Sequence, residues 1–129
     1  MNVITVAAAA ILNDQNQLLL VRKKNTQYFM QVGSKLECNE APEKTMLREI
    51  AEEISTSAQI QQFIGRFETL AANEAGHQLV SYVYQVNLDQ TPKMDAEIAE
   101  MKWIDLDDNQ TLLAPLTKEV VIPWCRANL

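Results

Sequence analysis

Residues 3–12 are apolar at every position except Thr5, while the stretch that follows, Asn13-Asp14-Gln15-Asn16, is wholly polar. The apolar run is too short to span a bilayer and lacks the basic start of a secretory signal. Ala7 to Ala10 lean towards helix by propensity. The turn-like polar stretch and a second apolar run over residues 17–22 instead predict a buried strand and a hairpin. Small side chains on a central strand would also leave room for a ligand.

The periodicity changes after Glu40. At about 100° per residue, Met46, Leu47, Ile50 and Ile54 fall on one stripe, which predicts an amphipathic helix across residues 40–55. Residues 59–71 and 78–86 predict strands joined by a polar stretch, 72–77. In the second, Val80, Tyr82, Tyr84 and Val86 alternate with Leu79, Ser81, Val83 and Gln85, giving one apolar and one mixed face. A loop containing Pro92 covers 87–95, and residues 101–106 predict a further short strand. The tail, 113–129, has helical spacing but holds Pro123, which should kink or end the helix. Strands interrupted by one central helix and closed by another predict a single α/β (α+β) domain over residues 1–129, a mixed sheet between helices.

The acids of the central helix do not fit a simple amphipathic surface. Glu49, Glu52 and Glu53 share the arc beside the apolar stripe. Like charges three or four residues apart each cost an isolated helix about 0.2–0.5 kcal/mol, and acids near the C-terminal end oppose the helix dipole. Arg48 can pair with Glu52 one turn on, leaving Glu49 and Glu53 facing each other. A hard divalent cation, which takes oxygen ligands, would offset the remainder. A solvated acidic face is the alternative.

What precedes the helix decides between them. Gly33-Ser34-Lys35-Leu36-Glu37-Cys38-Asn39-Glu40 leads into Arg48-Glu49-Ile50, and then Glu52-Glu53 and Ser55. This stretch resembles the signature of the Nudix hydrolase superfamily, with MutT-like enzymes the most similar subgroup. Glu40, Arg48, Glu49, Glu52 and Glu53 occupy the charged positions, and Ile50 the aliphatic one. Ser34 and Ser55 stand where the signature has glycine. Ser34 should alter the local backbone, and Ser55, where a helix-ending residue turns left-handed, should weaken the cap or let the helix run on.

The resemblance implies a Nudix α/β/α sandwich and hydrolysis of a diphosphate linkage in a nucleoside diphosphate joined to another group. It also implies Mg²⁺, with Mn²⁺ as a substitute. Glu49, Glu52 and Glu53 would be metal ligands together with the carbonyl of Gly33. Glu49 is either a ligand or the general base, oriented by Arg48, with Glu53 also counted among the catalytic residues and Glu40 supporting from behind; family members differ over which carboxylate is the base, some using one outside the motif. A further ligand often comes from a loop before a strand carrying Trp; here Glu97 is the candidate and Glu100 its competitor, ahead of Trp103. Lys35 and Arg22 are candidates for phosphate contact and Phe29 for stacking on a base. Lys23 and Lys24 fit a solvated turn as well as a phosphate site, and His77 is assigned no role.

Composition adjusts this picture only slightly. The chain has 129 residues, 47% hydrophobic and 22% charged, ordinary values for a globular protein. Its net charge of −6 argues against a nucleic acid polymer as partner, but not against a nucleotide, since a bound cation reverses the local sign. Cys38 and Cys125 form no metal spacing, and a reduced cytoplasmic setting is expected. Residues 70–74, Leu-Ala-Ala-Asn-Glu, carry neither the Pro nor the Tyr that marks subgroups acting on ADP-ribose or dinucleoside polyphosphates. By exclusion the expected substrate is a nucleoside triphosphate, cut to monophosphate and pyrophosphate, with a homodimer compatible. The competing expectation is a Nudix-fold module that binds a nucleotide or partner without chemistry, motivated by the two serines.

Overall fold

The computed structural model describes residues 2–72, 74–95 and 97–129. Among the described residues six strands and two helices form, in order β1 (Asn2–Ile11), β2 (Leu18–Lys23), β3 (Val32–Lys35), α1 (Pro42–Ile54), β4 (Ala58–Leu70), β5 (His77–Leu88), β6 (Ile98–Ile104) and α2 (Ile122–Asn128). A π-helical turn, Thr117–Val121, leads into α2. The main sheet has the order β3-β1-β5-β4, with β1 and β5 parallel and the other pairs antiparallel. A second, two-stranded sheet pairs β2 with β6.

β1 carries apolar residues on both faces because both are covered. Ala7, Ala9 and Ile11 pack with Met46, Ile50 and Ile54 of α1, while Ala8 and Ala10 pack with Val121, Ile122 and Cys125 of the C-terminal segment. Four successive alanines let both helical layers approach the strand closely. Their helix propensity, a preference of a few tenths of a kcal/mol per residue, is overridden by burial and ladder pairing on both sides. The expected mixed sheet between helices is therefore present.

Three local expectations need correction. β1 and β2 do not make a paired hairpin: only Leu12 bridges Leu18, after which β1 joins the four-stranded sheet and β2 pairs with β6. Leu18 to Val21 are all fully buried, so β2 needs cover on both faces, which a simple hairpin with β1 does not provide. Ser34, expected to alter the local backbone, sits with Gly33 in regular strand register opposite Ala7 and Ala8. Last, β6 begins at Ile98 and so takes up Glu100, which had been read as part of the preceding loop.

Two further expectations are corrected: α1 does not run on past Ile54, and Pro123 does not end the tail helix, since α2 continues to Asn128. α1 stops at Ile54, and Ser55 adopts the left-handed conformation, φ 59° and ψ 37°, that a glycine would otherwise supply. Pro123 falls in the first turn of α2, where a missing N–H costs little. The π-helical turn just before it carries an Ile122 N–H to Thr117 carbonyl bond.

Candidate active site

α1 brings the motif acids to one edge of the main sheet, beside β3. Arg48 is their organiser. Its guanidinium lies 3.0 Å from Glu40 and 3.0 Å from Glu49, with Glu52 at 3.5 Å and Glu37 at 3.8 Å. The pairing with Glu52 expected from helical spacing is thus the weaker part of a larger cluster. Glu40 also accepts a hydrogen bond from Thr45 Oγ1 at 2.6 Å. The Arg48 and Thr45 donors hold the Glu40 carboxyl below the usual carboxylate range. Glu40 first and then Glu49 raise the Arg48 pKa in turn, against its partial desolvation, so this cation is permanent.

Glu53 is not part of a solvated acidic face. It is 4% exposed, and its Oε1 has no hydrogen-bond partner among the described residues. Its carboxylate lies 3.4 Å from Lys23 Nζ, and the Gly33 N–H donates to it. Burial pushes its pKa up to about 7, against the attraction of Lys23 and with the repulsion of Glu49 adding to the rise. A buried carboxylate with a free oxygen is the donor chemistry that a hard divalent cation satisfies. Glu49, half-turned inward, and the exposed Glu52 point to Arg48, so among the described residues no three acids converge as a finished cage.

Gly33 supports this arrangement by close approach. A Cβ there would lie 2.0 Å from the Ala7 carbonyl oxygen and 2.9 Å from the Ala8 Cα, so any side chain would drive β3 off β1. Ser34, its neighbour, sits in regular ladder register opposite Ala7.

The loop ahead of β6 is tied to the same helix. The Lys93 and Asp95 N–H groups donate to the carbonyls of Ile54 and Glu53, at 2.9 and 3.0 Å, closing the C-terminal end of α1. Glu97 follows with an exposed side chain, and its carbonyl accepts from the Lys24 N–H at 2.8 Å. Its competitor Glu100 is taken by Arg22, at 2.7 Å across β2 and β6, and Arg22 also donates to the Thr26 carbonyl. Arg22 is therefore committed to a strand pair. Phe29 is 7% exposed in the second core cluster, with Lys102 Nζ 4.6 Å from its ring centroid. That ring is core rather than an open stacking face.

Lys35 is 64% exposed and pairs with Glu74 at 3.6 Å. It lines a cavity of about 330 Å³ that runs from Lys23 and Gly33 across Val6 and Ala8 to Ala114, Pro115 and Leu116. Lys23, for which a solvated turn and a phosphate site were both open, joins Glu53 to the cavity; Gln31 was not anticipated. Gln31, 5% exposed, lines the same space; a lone polar residue beside Phe29 and Val32 was the available signal.

The fold has close counterparts. A UDP-X diphosphatase superposes with TM-score 0.80 at 22% identity, over 99% of this chain and 64% of that one, so this chain spans less than two thirds of it. A MutT protein from Methanosarcina mazei Go1 gives 0.82 at 18% identity, covering 98% and 96%. A MutT NUDIX hydrolase from Burkholderia pseudomallei gives 0.81 at 22%, covering 95% and 98%. At such identities these show the fold alone. No curated protein matches the chain in sequence. No described helix is long and apolar enough to cross a membrane. The NUDIX domain model matches residues 1–125, and with the acids of α1 in their motif positions the chain belongs to the Nudix hydrolase family.

Proposed function

We propose that the protein is a divalent-metal-dependent hydrolase of the diphosphate linkage in nucleoside diphosphate compounds. Nucleoside triphosphates, cut to monophosphate and pyrophosphate, are the foremost substrates. One observation carries this reading: Glu53 is buried with a free carboxylate oxygen and lies 3.4 Å from Lys23, which lines the cavity together with Gly33 and Lys35. Such a carboxylate has no use in a solvated surface.

Glu49, Glu52 and Glu53, with Glu97 and the Gly33 carbonyl, would hold Mg²⁺ or Mn²⁺. When bound, the cation neutralises phosphate charge and acidifies water. Glu49 or Glu53 would accept the proton of the attacking water. Arg48 holds Glu49 in place, and Glu40 holds Arg48. Lys35 and Lys23 face the phosphates from the cavity side, and the apolar floor from Val6 to Leu116 receives the nucleoside. The simplest setting is a single Nudix domain over residues 1–129, acting in the cytoplasm and assembling as a homodimer, as family members commonly do.

The test is a panel of nucleotides, nucleotide sugars and dinucleotides assayed with Mg²⁺ and Mn²⁺. Turnover of at least one nucleoside triphosphate is expected, reduced about 100-fold or more by Glu53→Gln. No turnover of any member, or an undiminished rate in the variant, would sink the proposal. Tight nucleotide binding without hydrolysis would instead favour a binding module.

A further inference from the structure

β4 is an edge of the main sheet, and its outer side has no strand partner among the described residues. It runs for 13 residues, and residues 58–70 contain neither the Lys nor the Pro that commonly guards an edge. Its guards are two irregularities, between Ile60 and Gln62 and between Phe63 and Gly65. Beyond them, Gly65 to Leu70 keeps unbroken register against Val83 to Gln78 of β5. Such a row of outward N–H and C=O groups is a template for another strand.

The side chains of this stretch choose that strand. Arg66 and Glu68 are half-exposed and lie two residues apart, so they share one face. When two identical strands pair antiparallel, the two-fold centre falls on a residue, because alternate residues turn their backbone groups to opposite edges. Centred on Phe67, the pairing sets Arg66 of each copy opposite Glu68 of the other. Centred on Arg66 or on Glu68, it would set like charges face to face, which is destabilising. Arg66 and Glu68 already pair within one chain at 3.0 Å, so two copies would close a ring of alternating charge.

The same register brings Leu70, 66% exposed, opposite Ile64 of the second copy and beside its Phe63, 53% exposed. Tyr82 and Tyr84 brace Phe63, with ring centroids 6.5 and 5.1 Å away. Leu70 also lines the cavity but Phe63 does not, so the cavity does not account for both exposed groups.

We propose that two copies of this chain pair antiparallel through residues 65–70 of β4, centred on Phe67, joining their main sheets into one. The central charges fix the register, and the apolar ends bury Phe63 and Leu70. This gives the homodimer of the reading above its interface and is independent of the hydrolase chemistry.

Size-exclusion chromatography with light scattering tests it. A ladder this short belongs with weak, transient interfaces, so the mass should rise from one chain, 14.6 kDa, towards twice that between about 1 μM and about 1 mM. Amide hydrogen exchange over residues 65–70 should slow as the mass rises. Arg66→Glu and Glu68→Arg should each weaken association about tenfold or more, since each sets two like-charged pairs across the two-fold; the double reversal should restore it. Leu70→Gln should weaken it too, with circular dichroism checking that every variant is folded. A monomer at all concentrations, a dimer indifferent to both single reversals, or a double reversal that stays dissociated overturns the proposal. Unchanged exchange in residues 65–70 while the mass doubles also overturns it and leaves a homodimer with another interface. Nucleotide turnover by a monomer would leave the hydrolase reading standing and remove this one.

Discussion

Glu53 is held in two incompatible conditions. Its carboxylate is buried beside Gly33 and Lys23, where the charged form is poorly solvated, yet the chemistry proposed for it needs that form. A cation reconciles the two, and Lys23 reconciles them in part. The consequence for the metal-free protein has a definite sign. The folded pKa is raised from 4.5 to about 7, so the native state binds the extra proton between those values. The associated stability is fully present below pH 4.5 and is lost as pH rises through about 7. Thermal melts of metal-free protein should therefore show wild type losing ground to Glu53→Gln between pH 5 and 8. A constant difference across that range would contradict the burial argument. The acidic positions could be read from spacing alone. That Glu53 is buried while Glu52 is exposed could not, because which side of the acidic arc turns inward depends on β3 packing against the helix.

At the scale of elements, α1 shows how a helix end can be rebuilt without its usual residue. Acids near the C-terminus oppose the helix dipole, and the last turn has no basic residue. Its end is closed by the Lys93 and Asp95 N–H groups and by Ser55 in the left-handed region. A serine there bears a cost that glycine avoids. Ser55→Gly should accordingly raise stability by about 1 kcal/mol, a shift of about 4 °C in Tm, measurable by calorimetry. A fall in Tm would mean that the serine side chain contributes more than its backbone costs. The apolar stripe Met46, Ile50 and Ile54 was plain in the sequence because helical period is local. β3 was not: four residues containing Gly33 and Ser34 carry too little pattern, and they become a strand only because β1 offers a ladder edge.

At the scale of the molecule, β1 is the hinge of the whole arrangement. One face supports α1 and its acids; the other lines the cavity and supports the C-terminal segment. A cation that binds only the folded state should stabilise all of it by mass action. Mg²⁺ or Mn²⁺ should raise Tm in a concentration-dependent way, chelation should reverse the rise, and Glu53→Gln should greatly weaken it. An unchanged Tm at millimolar metal would argue against the carboxylates of α1 as its site. The central helix, its apolar stripe, the motif acids and the main strands could be read from the order of residues alone, since each rests on spacing within a few turns or residues. Folding in three dimensions was needed to send β2 from β1 to β6, to spend Arg22 and Glu100 on each other, to bury Phe29 in the core, and to bring Lys23 and Gln31 to one cavity. Those outcomes depend on contacts between residues distant in the chain, where burial on two faces and the pairing of charges across strands override any local preference.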